Sequence, residues 1–278
     1  MSELVLVGPK QIGDTLLATP AIRAYKRAHP GTRLTVCCAD EGGPYQVLLH
    51  NPYIDALVAG DPAALPGPQL VLDPSIALEH GWSVRKPFAW AYGRMLGVEI
   101  DSVRYDYLVT PDERANADAT LRTLGEGRPV VIVARHSVSC MSNHPAVRRA
   151  NKCVDNVYWL GCAEKLIQRG YLPLAVGSRD EVDDPRYVRW PGKRLYGHPL
   201  RDIAAMCAQC AGVLTVDNGI RHLAAAAGAN VYALSSAIPL AVIACAPVRE
   251  GQRIVEENVF FRDVGLRTLP RGAERLGL

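Results

Sequence analysis

The sequence predicts an α/β protein built from two doubly wound Rossmann-like domains that face each other across a cleft. Short apolar runs alternate with segments of helical periodicity, which is typical of parallel sheets covered by helices. The alternation occurs twice, and a polar stretch within residues 101–128 connects the halves. We therefore expect an N-terminal domain over 1–118 and a C-terminal domain over 119–278, with ligands bound at the carboxyl ends of the strands.

The first half begins with a strand at 3–8, because ELVLVG is a short apolar run that ends in glycine. The helical pattern of TLLATPAIRAYKRAHP follows and stops at Pro30 and Gly31. RLTVCCA at 33–39 predicts the second strand. The remaining segments of this half predict the helices GGPYQVLLHN and RKPFAWAYGRMLGV and strands in YIDALVAG and at 70–73.

The second half repeats the pattern from PVVIVAR at 129–135 onward. Helices are predicted in VYWLGCAEKLIQRG, at 199–211 and at 222–229. Strands are predicted at 172–177, 212–217 and 230–234, and the tail from 248 has weak periodicity.

Composition restricts the class of protein. The chain has 278 residues, of which 49% are hydrophobic and 21% charged, so it has enough apolar residues for packed cores. A net charge of +3 is too small to argue for nucleic acid and is compatible with an anionic ligand. No apolar run is long enough for a membrane span, and MSELVLVGPK resembles a first strand more than a signal peptide.

The eight cysteines lack the density of a disulfide scaffold, so we expect reduced thiols and a cytoplasmic location. Cys207 and Cys210 form a single CxxC inside a predicted helix. Without a second pair at metal spacing, buried helical cysteines are a better interpretation than zinc or redox chemistry.

The loop after the first strand, GPKQIGDTLL, contains the first candidate site. Gly13 and Thr15 belong to this backbone loop, and Asp14 lies at or just before a helix start. The carboxylate of Asp14 is either a helix N-cap or a general base that projects into the cleft. The chain lacks G-x-G-x-x-G, a complete Walker A sequence and G-x-S-x-G, so nicotinamide binding, ATP-dependent phosphoryl transfer and serine hydrolysis lack their signatures.

The second candidate is the turn between the strand at 212–217 and the next helix. DNGIRH places Asp217, Asn218, Gly219 and His222 there. A helix N-terminus offers unpaired N–H groups and a positive dipole end, which suit a phosphate. Capping by the polar side chains, with a structural His222, explains the same residues equally well.

A basic segment follows the first strand of the second half and is expected at the same edge. Its members could neutralise a diphosphate, although a solvated surface loop explains any single one. They are Arg135, His136, His144, Arg148, Arg149 and Lys152.

Three stretches together resemble the heptosyltransferases of glycosyltransferase family 9. IGDTLLATPAIRAYKRAHPG at 12–31 resembles the N-terminal signature of that family. NPYIDALVAGD at 51–61, followed by LVLD and LGV, is similar to the next part. GHPLRDIAAMCAQCAGVLTVDNGIRHLAAAAGANVYAL at 197–234 resembles the donor-site signature D-[ST]-G-x-x-H-x-[AT]-A-A.

The resemblance implies a GT-B fold, with an N-terminal acceptor domain and a C-terminal donor domain. It implies inverting sugar transfer from a nucleotide sugar such as an ADP-linked heptose, with neither a metal nor a bound cofactor. The catalytic base of the family falls on Asp14. Its donor-binding residues fall on Asp217, Asn218, Gly219 and His222, assisted by Lys152 and Arg135. The implied partners are the donor and a sugar or small-molecule acceptor, with no nucleic acid and at most peripheral membrane contact.

This chain departs from the family pattern at several points. Asn218 replaces the usual Ser or Thr, and SSAIPLAVIA replaces the usual loop after the last predicted strand. ARHSVSCMSN replaces the commoner start of the second domain. Two alternatives remain open: a non-catalytic nucleotide-sugar binder, which has no use for Asp14, and a nucleotide-sugar epimerase, which needs a second acid or base such as His136 or Asp73.

Overall fold

The computed structural model describes residues 2–73, 86–137, 154, 156–181, 189–235 and 243–258. The chain divides into two compact units. The first comprises Met1–Leu108 with Ala241–Val248, and the second comprises Val109–Leu240 with Arg249–Leu278. The domain boundary predicted after residue 118 lies within a helix of the second unit.

The first unit is built on a parallel sheet with the order β3-β2-β1-β4 among the described residues. Its strands are β1 (Glu3–Val7), β2 (Arg33–Cys38), β3 (Ala56–Ala59) and β4 (Gln69–Val71). Its helices are α1 (Ile12–Ala28), α2 (Gly43–Leu48) and α3 (Phe88–Met95), with a 3-10 turn at Pro62–Ala64. Strand β1 lies between β2 and β4, with Val7 opposite both Cys37 and Val71.

The second unit is built on a parallel sheet with the order β10-β9-β8-β5-β6-β7 among the described residues. Its strands are β5 (Val130–Ala134), β6 (Leu172–Gly177), β7 (Lys193–Tyr196), β8 (Gly212–Val216), β9 (Val231–Ser235) and β10 (Ile254–Asn258). Its helices are α4 (Pro111–Gly125), α5 (Asn156–Gln168), α6 (Leu200–Gln209) and α7 (Gly219–Ala226), with a 3-10 turn at Arg179–Glu181.

The central strands of the second sheet are covered by helices, as their apolar sequences require. In the second unit, Trp159 and Leu166 of α5 pack with Val131, Leu214 and Tyr232 of the sheet in one hydrophobic core. Central strands β5, β8 and β9 are buried along their whole length. This explains why they are apolar at consecutive positions and do not alternate with polar residues.

The predicted fold class, α/β with two doubly wound sheets, is therefore confirmed. Strands β7 and β10 were missed by the sequence prediction, and α7 begins at Gly219, three positions before the predicted start at His222. Among the described residues, no helix combines the length and the apolar character that crossing a bilayer requires.

Candidate functional site

Asp14 lies in the first turn of α1, so it is not the helix N-cap. Helix α1 begins at Ile12, and Gln11 holds the N-cap position without a side-chain hydrogen bond. Gly13 and Thr15, predicted to lie in a backbone loop, are also inside this first turn. The buried Thr15 hydroxyl donates to the carbonyl oxygens of Gln11, at 2.8 Å, and Pro9, at 3.2 Å. The N-cap interpretation of Asp14 is therefore wrong, and its partly buried carboxylate lies where the positive end of the helix dipole favours a negative charge.

A second carboxylate belongs to the same edge of the first sheet. Asp73 comes two residues after β4, and β4 is the parallel neighbour of β1, whose following loop leads into α1. Parallel strands bring their carboxyl ends to one edge, so Asp14 and Asp73 share that edge. The sequence had suggested Asp73 only as a second acid or base for an epimerase.

Tyr92 on α3 interacts electrostatically with these carboxylates. Helix α3 packs against α1, and Tyr92 is completely buried. Burial raises the pKa of the Tyr92 phenol, and the negative charges of Asp14 and Asp73 raise it further. The phenol therefore stays protonated at neutral pH. Within the described part of the chain, its hydroxyl has no hydrogen-bond partner. Sequence reasoning missed Tyr92, because nothing in the FAWAYGRM pattern distinguishes it from a core residue.

The loop after β8 is held to the loop after β5 by Asn218. Its side-chain oxygen accepts from the backbone N–H of Arg221 at 2.9 Å, which makes Asn218 the N-cap of α7. The same oxygen accepts from the Thr215 hydroxyl at 3.1 Å, and the amide nitrogen donates to the His136 carbonyl at 2.5 Å. The capping interpretation of Asn218 is thus confirmed. The side-chain amide positions two neighbouring loops at the carboxyl edge of the second sheet.

His222 is buried on α7 beside Asp217 and Arg221. Its Nε2 lies 3.8 Å from Oδ1 of Asp217, and its Nδ1 lies 2.9 Å from NH1 of Arg221. Arg221 is completely buried and forms an ion pair with Glu256 on β10 through its other terminal nitrogen. Arg221 was visible in the DNGIRH motif but received no role from the sequence, and Glu256 lies in the tail where periodicity is weak.

Arg135 makes contacts within the second unit. Its guanidinium donates to Oδ1 of Asn156 at 2.8 Å and to the Tyr196 hydroxyl at 2.7 Å. It also lies 4.7 Å from the ring centroid of Trp190. Arg135 is almost wholly buried, so these contacts fix the end of β5 against α5 and β7.

Part of the predicted basic segment falls where the structure gives no description. His144, Arg148, Arg149 and Lys152 lie outside the described residues. His136 is described and buried, and its carbonyl is the acceptor for Asn218. In the described part of the chain, no group of three or more His, Cys, Asp or Glu side chains could hold a metal ion.

The prediction of buried helical cysteines is confirmed for Cys207, whereas Cys210 is partly buried and follows the helix. Cys207 is completely buried on α6, and Cys210 follows that helix. The Cys210 thiol lies 3.3 Å from the carbonyl oxygens of Cys207 and Gly212. Burial raises the pKa of Cys207 well above its usual value and that of Cys210 to about 12. Both therefore remain protonated thiols at neutral pH.

Two doubly wound parallel sheets, each with polar loops at its carboxyl edge, define a two-domain Rossmann-like α/β protein. Comparison with solved structures identifies the particular fold. The chain is similar to a glycosyl transferase of family 9 from Veillonella parvula DSM 2008, with a TM-score of 0.68 and 16% identity over 92% of this chain and 86% of that one. It is similar to the E. coli ADP-heptose LPS heptosyltransferase II, with a TM-score of 0.72 and 15% identity over 99% of this chain and 98% of that one.

A third similar structure is the E. coli heptosyltransferase WaaC with ADP, with a TM-score of 0.62 and 14% identity over 99% of this chain and 98% of that one. No protein-family profile and no curated protein sequence matches the chain. At these identities the likeness shows the fold, which is GT-B, as the sequence resemblance implied.

Proposed function

We propose that the chain is a divergent heptosyltransferase-like glycosyltransferase of family 9. It would move a sugar from a nucleotide sugar to an acceptor hydroxyl or similar nucleophile, with inversion and without a metal. The observation that carries the proposal is the loop after β8. There, Asp217, Asn218, Gly219 and His222 precede or begin α7, and Asn218 fixes the loop to its neighbour.

The donor diphosphate is assigned to the start of α7. The first N–H groups of a helix have no intrahelical acceptor, and the dipole there favours negative charge. The side chain of Asn218 accepts from the N–H of Arg221. The N–H groups of Gly219 and Ile220 remain at the start of the helix for the phosphate. His222 would add a side-chain donor. These groups would stabilise the negative charge of the departing nucleoside diphosphate.

Asp14 is assigned as the general base. Its carboxylate would accept the proton of the acceptor hydroxyl while the acceptor oxygen attacks the anomeric carbon. The new glycosidic C–O bond forms as the bond to the nucleoside diphosphate breaks, and the diphosphate leaves with the electron pair. A single displacement inverts the configuration at that carbon. Asp14 lies in the first turn of helix α1, which gives its carboxylate a defined position, as a general base requires.

The proposed donor nucleotide and sugar are taken from the similar solved structures. Two of the similar structures are named for ADP-heptose or contain ADP, so we propose an ADP-linked heptose as the donor and the cytoplasm as the setting. Lys152 is the proposed phosphate-binding lysine. The contacts of Arg135 with Asn156 and Tyr196 favour an indirect part for it, in which it holds the loop after β5 in place.

A glycoside assay with a matched pair of variants tests the proposal. The protein is incubated with nucleotide sugars, including ADP-heptose, and a panel of sugar acceptors, and mass spectrometry detects the glycoside. Asp14→Asn should lower transfer by about 10²–10⁴-fold, the usual contribution of a general base, and should leave nucleotide binding intact. Asp112→Asn is the control, because Asp112 is also a first-turn aspartate, on α4, and is exposed. Undiminished transfer by Asp14→Asn would refute the assignment.

A nucleotide-sugar epimerase is the second candidate. It is favoured by one observation: Asp14 and Asp73 follow the neighbouring parallel strands β1 and β4, so two carboxylates belong to one edge of the first sheet. The same incubation distinguishes the two reactions. An epimerase gives an isomerised nucleotide sugar without any acceptor, whereas a transferase gives a glycoside and the free nucleoside diphosphate. A non-catalytic binder gives neither product.

A further inference from the structure

Helix α3 of the first unit has an outward side formed by a tryptophan and an arginine. The helix packs against α1, and most of its residues are buried or partly buried. Trp90 and Arg94 are the two exceptions, and Trp90 is 48% exposed. Residues four positions apart lie on the same side of a helix. The indole and the guanidinium therefore share one surface that faces the solvent.

The sequence around this surface carries positive charge and no carboxylate. Residues 80–98 contain no Asp or Glu but include Arg85, Lys86 and Arg94. Lys86 is exposed just before the N-cap of α3, so a second cation lies at the start of the helix. The next carboxylate along the chain, Glu99, comes after the helix has ended. We call Lys86, Trp90 and Arg94 together the Trp90 face.

The size of the Trp90 face decides between a protein partner and a lipid surface. A single aromatic side chain buries at most about 250 Å², whereas each partner in a stable protein interface buries roughly 800 Å². A bilayer needs no complementary shape, because its headgroups move to fit the protein. Tryptophan is enriched where bilayers meet water, and anionic headgroups attract exposed Lys and Arg side chains.

We propose that the Trp90 face docks the protein on the surface of an anionic bilayer. The indole of Trp90 enters the headgroup region, and the cations of Lys86 and Arg94 pair with lipid phosphates. The contact is peripheral and involves neither a nucleotide nor an acceptor, so it does not rest on the proposed function.

Sedimentation with vesicles tests the docking. The full-length protein is mixed with vesicles of phosphatidylcholine alone or with added phosphatidylglycerol. It should bind the vesicles that contain phosphatidylglycerol, and binding should weaken as salt is added, because salt screens exposed charges. Absence of binding to these vesicles, or equal binding to pure phosphatidylcholine, would overturn the proposal.

Variants of the two exposed residues assign the surface. Arg94→Gln should weaken binding about fivefold, the contribution of one cation near an anionic surface. Trp90→Ala should weaken it about tenfold, because the apolar ring no longer enters the headgroups. The controls are Arg114→Gln on α4 and Ile167→Ala on α5, which change an exposed arginine and an exposed apolar residue of the second unit. Weakening by the controls, or wild-type binding by the Trp90 and Arg94 variants, would contradict the assignment.

Quenching by brominated lipid shows which side chain enters the bilayer. The chain has four tryptophans, and binding to brominated vesicles should quench part of their fluorescence. Trp90→Phe keeps an apolar ring, so it should retain most of the binding and lose the quenching. Quenching that persists in Trp90→Phe would mean that another tryptophan meets the lipid, and the proposal would be wrong.

Light scattering without vesicles tests a second copy of the chain as the occupant. The mass of the wild-type particle should equal that of Trp90→Ala. A wild-type oligomer that Trp90→Ala dissociates would show that the Trp90 face joins two copies and would overturn the lipid assignment.

Discussion

Asn218 shows how one substitution in a motif is accommodated at the residue scale. The family signature that this segment resembles has Ser or Thr at this position, and the hydroxyl of either would also cap α7. The longer amide caps the helix and reaches the His136 carbonyl as well. The local DNGIRH pattern indicated a cap as one of two equally good interpretations. It could not predict the second contact, because His136 is far away in the chain and is brought close only by the pairing of β5 with β8.

Replacing Asn218 separates the two contacts. Asn218→Ala loses both the cap and the bridge, and the cap alone is worth about 1 kcal/mol in the free energy of unfolding. Asn218→Ser keeps a capping oxygen and loses the bridge, so its stability should lie between those of Asn218→Ala and wild type. Urea denaturation measures the difference.

The matched control for Asn218 is Thr110→Ala. Thr110 caps α4 in a capping box with Glu113, so this variant loses a cap in the same unit without affecting the loop after β8. Equal stabilities for Asn218→Ser and Asn218→Ala would mean that the serine hydroxyl does not cap α7.

At the scale of elements, the edge strands explain what the sequence analysis missed. Among the strands that the structure describes, β7 and β10 lie at the two edges of the second sheet. Their sequences, KRLY and IVEEN, carry charged residues. Edge strands tolerate such residues because one side of the strand has no neighbour in the sheet. A search for apolar runs therefore finds β5, β8 and β9 and overlooks β7 and β10.

The junction between α4 and α6 predicts a pH dependence. Burial raises the pKa of Glu113. Hydrogen bonds from Arg201 and Thr110 and the charge of Arg201 lower this pKa more, so that it lies below its usual value. A carboxyl whose pKa is lower in the folded state stabilises that state above its unfolded pKa, about 4.3 for Glu. The stability that Glu113 contributes is lost as the pH falls through the lowered pKa of its carboxyl in the folded state.

Glu113→Gln should therefore reduce stability at pH 7 and flatten its decline below about pH 4.3. Thermal unfolding between neutral and acidic pH measures both effects. Glu164→Gln is a suitable control, because Glu164 lies on the exposed side of α5 in the same unit. If wild type and Glu113→Gln lose stability in parallel on acidification, Glu113 does not carry the pH dependence.

At the scale of the whole molecule, the sequence predicted the fold well because each half alternates strands and helices in order along the chain. Buried parallel strands must be apolar, and the helices between them must have one apolar face. These local requirements are visible without a structure. The facing arrangement of the domains and the boundary after residue 118 stay predictions.

The candidate site was predicted in part. The segments that carry Asp14, at the start of α1, and Asp217, after β8, were found because turns after strands are marked by polar and glycine residues. The partners of those residues were not found. Tyr92, whose phenol feels the charge of Asp14, lies on another helix, and Glu256, which pairs with Arg221, lies on another strand, so each depends on tertiary packing between segments distant in sequence.

Nucleotide binding tests the central claim, that the loop after β8 is the donor site. Thermal shift with ADP, UDP, GDP and dTDP is the measurement, since a ligand at 100 times its Kd stabilises the native state by about 2.7 kcal/mol. We predict a selective shift with ADP, lost in His222→Ala and retained in His198→Ala, an exposed histidine of the same unit. A shift with none of the four, or one that His222→Ala leaves unchanged, would contradict the account.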